Sequence, residues 1–318
     1  MADSTLTVAI AQIAPVLLDR ARTIDKAAGA VVEAAATGAR VVCFGEGFAP
    51  GYPVWLDRTD AARFDAPDQK AMHAIYLDQG VDCEADHLDP VRDAARDGNT
   101  WVVLGIMEKP RDRGGHTLFA SAVVIDDQGA IRSVHRKLMP TYEERLSWSP
   151  GDAHGLVTHP GVGPFTLGAL NCWENWMPLA RTALYAQGED LHVAIWPGSE
   201  RITKDITRYV AREGRSYVLS ASAIIRPEDV PAGLPLRERM VEGLTGPFQN
   251  GGSCIAGPDG EWIVEPVVGE ERIITATIDH TRVLEERQNF DATGHYSRPE
   301  LLRLTVDRQR QTAADFID

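Results

Sequence analysis

The chain has 318 residues and only four cysteines, Cys43, Cys83, Cys172 and Cys254, at spacings that form no CxxC pair. That scarcity argues against a disulfide framework, and reduced thiols are expected. Positive charge is short as well: 32 Lys and Arg against 46 Asp and Glu leave a net charge of -14. This balance disfavours nucleic acid and anionic membranes as partners. No apolar run approaches the roughly 20 residues that span a bilayer. The stretch MADSTLTVAIAQIAP has no basic leader before its apolar part. It reads as a strand that begins the fold, and a cytoplasmic chain is expected. There is no HExxH, no P-loop and no Cys/His cluster, and GVGPFTLG is not GxGxxG. His154 and His159 lie five apart in a loop, so metal catalysis is not expected.

What is present is the composition of a soluble globular protein, 44% hydrophobic and 25% charged. Apolar strands alternate with helices. LTVAIAQIAP, ARVVCFGE and TWVVLGIME read as strands, with an alanine-rich helix over 19–36 and helices over 68–78 and 88–97 between them. LFASAVVIDDQGAIRSVHRK reads as a hairpin and PFTLGALNC as a strand, followed by a helix over 176–187. LHVAIWPGS, a helix over 201–213, SYVLSASAII, a hairpin turning at Asp259-Gly260, and ERIITATID complete the pattern. No linker divides it, so residues 1–298 read as a single domain. The Pro- and Gly-rich stretch 226–252 reads as a functional flap or interface loop. So many apolar strands are best buried as two packed sheets with helices outside. The tail 299–318 is too poor in core residues to stand alone and is a candidate to pack on a neighbouring subunit.

Three polar residues share one structural address. Glu46 follows RVVCFG, Lys137 follows IRSVHR and Cys172 follows FTLGALN, each at the carboxyl end of an apolar strand. Ligands bind at that end in layered α/β folds. An acid could take the thiol proton, an ammonium could stabilise developing charge, and a thiolate could attack. The helix expected just after Cys172 would favour a thiolate. Singly, each has a plainer reading: a small core cysteine, a turn glutamate, a solvated lysine. His135 and His192, in or beside strands, read as satisfied core residues, and a Cys–His pair has no support in the spacing. Glu174 suits the first turn of a helix and reads as structural. Tyr52, Trp55, Trp173 and Trp196 cluster near the same rim as pocket candidates. That many aromatic rings tilts the expected substrate towards aromatic or arylaliphatic compounds.

Three segments carry more than spacing. GEGFAPGYPVW, HRKLMPTYEERLSWSPGD and LNCWENWMPLARTALYAQG together resemble the nitrilase superfamily, and most closely its true nitrilase branch. The resemblance runs from TVAIAQIAPV to GHYSRPELLRL. It implies a four-layer α-β-β-α sandwich and a carbon–nitrogen hydrolase domain working without metal or organic cofactor. It places the family's Glu-Lys-Cys set on Glu46, Lys137 and Cys172. A further glutamate falls on Glu144 rather than its neighbour Glu143, and the Trp173 backbone N–H would help hold the intermediate. The implied reaction is hydrolysis of a nitrile by water to a carboxylic acid and ammonia through a Cys172 thioimidate and acyl-enzyme. An amidase or carbamoylase would share the machinery. Cyanide as substrate, or a non-catalytic assembly protein on this fold, remain as rivals. The resemblance also implies a homodimer, often extended into larger spiral homo-oligomers.

Overall fold

The computed structural model describes residues 4–314 and 317. The chain runs through β1 (Thr5–Gln12), α1 (Arg20–Ala36), β2 (Val41–Cys43), α2 (Pro67–Asp78), α3 (Asp89–Asp97) and β3 (Trp101–Glu108). The hairpin of β4 (Phe119–Ile125) and β5 (Ile131–Arg136) follows, then β6 (His159–Val162), β7 (Phe165–Asn171) and α4 (Pro178–Tyr185). Next come β8 (Leu191–Trp196), α5 (Glu200–Gly214), β9 (Tyr217–Ser222), β10 (Ile224–Ile225) and α6 (Arg237–Val241). β11 (Gln249–Ala256), β12 (Trp262–Val268), β13 (Arg272–Asp279) and α7 (His280–Arg287) end it.

Two mixed sheets result. The first has the order β13-β1-β2-β3-β4-β5, and the second β10-β11-β9-β8-β7-β6 with β12 paired to β11. Strand alternation explains how they stack. In β1, Val8 and Ile10 join Val41, Cys43, Val103, Leu167, Val193 and Leu219 in a core between the sheets. Ala9 and Ala11 face the other way, onto Ile24, Ala27 and Val31 of α1 and Val91 and Ala95 of α3. Helices α5 and α4 cover the far face of the second sheet, through Ile206 and Val210 and through Ala180 and Leu184. The four-layer sandwich is therefore a direct product of strands that are apolar on both faces.

The helix ends follow local chemistry. Asp19 caps α1 by accepting from the Arg22 N–H at 3.0 Å. All four cysteines are free. Among the described residues no helix is long and apolar enough to cross a membrane. The tail lies along its own chain. Leu304 and Val306 pack beside Leu156 and Leu170, and Asp152 pairs with Arg310 at 3.0 Å and accepts from the Gln311 N–H at 3.1 Å.

Candidate active site

The site sits where the two sheets meet at their strand ends. Glycines let them approach there. A Cβ on Gly45 would lie 2.8 Å from the Trp196 carbonyl, and one on Gly105 would lie 2.1 Å from the Gly45 carbonyl. With neither present, the Glu46 N–H reaches across to the Trp196 carbonyl of the other sheet at 2.9 Å. Lys137 extends β5 by one residue, its N–H donating to Ala120 at 2.8 Å.

The three strand-end groups come together. The Lys137 ammonium is 2.8 Å from Glu46 Oε1 and 2.7 Å from Glu144 Oε2. Cys172 Sγ and one carboxylate oxygen from each of Glu46 and Glu144 all lie within 4.8 Å of one another. A donor set of this kind could hold a cation, but the ammonium already supplies one at its centre. Glu46, Lys137 and Cys172 are 1%, 1% and 2% exposed. Glu144 is fixed further by the Tyr52 hydroxyl, donating to Oε1 at 2.7 Å, and by the Thr141 N–H at 2.6 Å. Neither oxygen of Glu46 receives a well-directed hydrogen bond, although Oε1 is ion-paired with Lys137. A carboxylate without a hydrogen-bond donor therefore lies beside the thiol.

Electrostatics follow from sealing charges away from water. Burial pushes Glu46 up to about 8, against the opposing pull of Lys137, and the Glu144 charge adds to the rise. Burial also drives the Cys172 thiol well above its ordinary value, Glu46 reinforcing and Lys137 opposing. Burial works against the Lys137 ammonium, but Glu46, Cys172 and Glu144 outweigh it and hold the amine charged. The resting state is a thiol beside a carboxyl group poised to become its base.

Cys172 has φ +48°, in the left-handed region that non-glycine residues seldom occupy. The expected helix start is corrected here. Cys172–Trp176 is a separate 3-10 turn, and α4 begins only at Pro178. Proline cannot donate, and it holds Met177 in an extended conformation at ψ 107°, which breaks the helix between them. The dipole of α4 is thus not applied directly at the sulfur. The Trp173 N–H is, directed at Cys172.

Glu174 binds the two halves of the site. Its carboxylate accepts from the Leu138 N–H at 2.5 Å and the Asn171 N–H at 2.7 Å, one residue beyond Lys137 and one before Cys172. His135 Nε2 lies 3.1 Å from both of its oxygens. Burial opposes the Glu174 charge, but His135 and the backbone N–H groups outweigh it and lower its pKa.

A cavity of about 430 Å3 is lined by Tyr52, Val54, Pro197, Ile202, Leu244 and Phe248, with the charged Asp57, Arg58, Glu143 and Arg201, and it meets the cluster through Tyr52, which bonds Glu144. The stretch read as a flap supplies Leu244 and Phe248. Of the four pocket aromatics, Tyr52 lines this cavity and reaches Glu144. Trp173 is 49% exposed and leans on Trp176, so it contributes its backbone rather than its ring. Trp55 packs edge-on against Tyr76 and borders a different hollow. Trp196 is buried in one cluster with Cys172, Ile206, Val210 and Val218, its indole donating to Ser220 at 3.2 Å. Neither Trp55 nor Trp196 lines this cavity. Sequence reasoning missed Trp148, whose ring lies 5.5 Å from the Lys137 ammonium and edge-on to Tyr52. Its only signal was a position eleven residues after Lys137.

A family profile described as carbon-nitrogen hydrolase matches residues 7–288. An aliphatic nitrilase of Rhodococcus rhodochrous is 34% identical over 326 residues, covering 97% of this chain and 84% of that protein. Nitrilase 1 of Arabidopsis thaliana is 34% identical over 318 residues, covering 99% and 90%. Among solved structures, an amidase from Nesterenkonia sp. superposes with a TM-score of 0.62 at 19% identity, covering 91% of this chain and 96% of the other.

Proposed function

We infer that this chain, which belongs to the carbon-nitrogen hydrolase family, is a nitrilase that converts an organic nitrile and two waters into a carboxylic acid and ammonia. The reaction class rests on one observation: a buried carboxylate without a hydrogen bond, beside a buried thiol and a buried ammonium. Nitrile over amide rests on the curated relatives, both named nitrilases, whereas the amidase is similar in fold alone.

In the proposed mechanism Glu46 takes the Cys172 proton and the sulfur attacks the nitrile carbon. The nitrogen gains that proton, giving a thioimidate. Glu46 then takes a proton from water as its oxygen adds to the same carbon. Lys137 and the Trp173 N–H stabilise the tetrahedral species. The nitrogen takes the proton held by Glu46 and then, as the carbonyl re-forms, the hydroxyl proton of the tetrahedral species passed on by Glu46, so that ammonia leaves and a thioester remains; a second water hydrolyses it to release acid and thiol. Glu144, held by Tyr52, keeps Lys137 in place.

The cavity supports a modest nitrile chain running between Tyr52, Ile202 and Phe248. The aromatic rings bordering this cavity are Tyr52 and Phe248. A homodimer or larger spiral, with the tail 299–318 contacting a neighbour, and a cytoplasmic location belong to this reading. A chain truncated after Pro299 should then shrink on size-exclusion chromatography, and unchanged size counts against tail-mediated assembly.

The test is ammonia release from nitriles, matching amides and cyanide, with the native chain and Cys172→Ala. Ammonia from nitriles that vanishes in the variant supports the assignment. Release from amides only moves the chain to the amidase branch.

A further inference from the structure

A second buried polar chain ends on the nucleophile from behind. Glu189 Oε1 lies 2.8 Å from His192 Nδ1, and His192 Nε2 lies 2.7 Å from Asn175 Oδ1. Asn175 Nδ2 donates to the Cys172 carbonyl at 2.8 Å and more weakly to that of Leu170 at 3.4 Å. Glu189, His192 and Asn175 are each 0% exposed. None of them touches the Glu46–Lys137–Glu144 cluster in any hydrogen bond.

The order of atoms in this chain is forced. The Asn175 amide faces two carbonyl oxygens on one side, so its NH2 must point there and its oxygen must point at His192. His192 Nε2 must then carry hydrogen and donate. Nδ1 faces a carboxylate at 2.8 Å, so a second proton lies between Nδ1 and Glu189 Oε1, and this hydrogen bond holds the ring in that orientation. A Cβ on Gly168 would fall 2.0 Å from Glu189 Oε1, so the glycine in β7 leaves room for this carboxylate. The Asn175 backbone is fixed too: its carbonyl accepts from Arg181 Nη1 at 2.6 Å, and Arg181 is tied to Glu213 of α5 at 2.6 Å.

The Cys172 carbonyl is an unusual place to anchor. At φ +48° the residue sits in a sparsely populated conformation, which persists only when its surroundings over-determine it. A donor on that carbonyl does so directly. We propose that Glu189, His192 and Asn175 form a positioning relay that locks the Cys172 backbone in its left-handed conformation and thereby aims the sulfur between Glu46 and the substrate. They are positioning residues, not catalytic ones, since the chain reaches Cys172 through its backbone carbonyl and not through the sulfur. The proposal rests on the nitrilase reading only for the identity of the substrate. The relay's effect on the thiol is measurable without one.

The experiment compares Asn175→Leu, His192→Asn, His192→Gln and the double variant Asn175→Leu/His192→Asn. The reach of glutamine places its amide N–H where Nε2 stood, whereas asparagine falls short. Two readouts are taken per folded molecule, after thermal melting shows which variants fold: kcat and KM for a nitrile, and the rate of Cys172 alkylation by iodoacetamide. Misaimed reacting groups cost about tenfold to a hundredfold. Asn175→Leu and His192→Asn should each lose about that much in kcat and in alkylation rate, with KM nearly unchanged. The double variant should be no worse than either alone, and His192→Gln should recover most of the loss. If Asn175→Leu does not fold, the two His192 variants carry the same comparison. Native rates in His192→Asn, or equal losses in His192→Asn and His192→Gln, would overturn the relay. A native chain inert to every nitrile but alkylated in the expected order would retain the relay and sink only the substrate assignment.

Discussion

Arg136 and Lys137 are neighbours in the chain, and each is buried between two carboxylates. Arg136 pairs with Glu108 at 2.7 Å and Asp112 at 3.0 Å, and its guanidinium lies 4.5 Å over the Phe119 ring. Lys137 pairs with Glu46 and Glu144 at 2.8 and 2.7 Å. The formal charges are the same, and the outcomes differ. The planar fork of Arg136 spreads donors over all four oxygens of its partners, and the Ser121 hydroxyl donates to Glu108 as well. Lys137 is a point charge directed mainly at Glu144, and it leaves both oxygens of Glu46 without a hydrogen bond. A saturated buried cluster is scaffold. One that leaves a carboxylate without hydrogen bonds, next to a thiol, has a proton acceptor to offer.

That contrast can be broken by substitution. Cys172→Ala should abolish ammonia release, and Glu46→Gln should lower kcat by about 10² to 10⁴ while thermal stability is kept. Lys137→Met should cost about 10² to 10³ in kcat, read in the same assay, because it removes charge stabilisation from the tetrahedral species. The pH profile sharpens the point. Glu46 must be ionised to take the thiol proton, and burial has raised its pKa to about 8. So kcat/KM should fall as pH drops through that value, by about tenfold per unit below it. In Lys137→Met, which lacks the charge that pulls Glu46 down, the residual activity should need still higher pH. A limb near the usual carboxylate range would contradict the burial argument. Tyr52→Phe removes one hydrogen bond to a charged Glu144 and should reduce kcat roughly tenfold. Arg136→Met should leave kcat per folded molecule nearly native yet lower the unfolding free energy by about 3 kcal/mol, measured by denaturant titration. Large loss of kcat without loss of stability in that variant would erase the distinction between the clusters.

Much of the layout was legible in the residues. Strands apolar on both faces announced a covered double sheet, and the ends of three of them carried the acid, the amine and the thiol. What periodicity could not reach was direction in three dimensions. Trp55 and Trp196 have the right addresses along the chain, but their rings turn into packed cores. Pro178 sits inside an apparently continuous helical pattern from Trp176, and its missing N–H splits it. His192 was readable as a core residue. Its role as a donor to Asn175 was not, because the partner lies 17 residues away on a turn of irregular shape.

The pairing of β1 with β13 has a consequence for the order in which the molecule is made. Residues Thr5–Gln12 align against Arg272–Asp279, the first strand against the last. Glu46, Lys137 and Cys172 are all made before β13. Strand β1, which is made first, must wait for almost the whole chain before its outer side is paired. A chain that stops short of β13 therefore carries all three reacting groups while β1 is still an open sheet edge, a template for pairing with another chain.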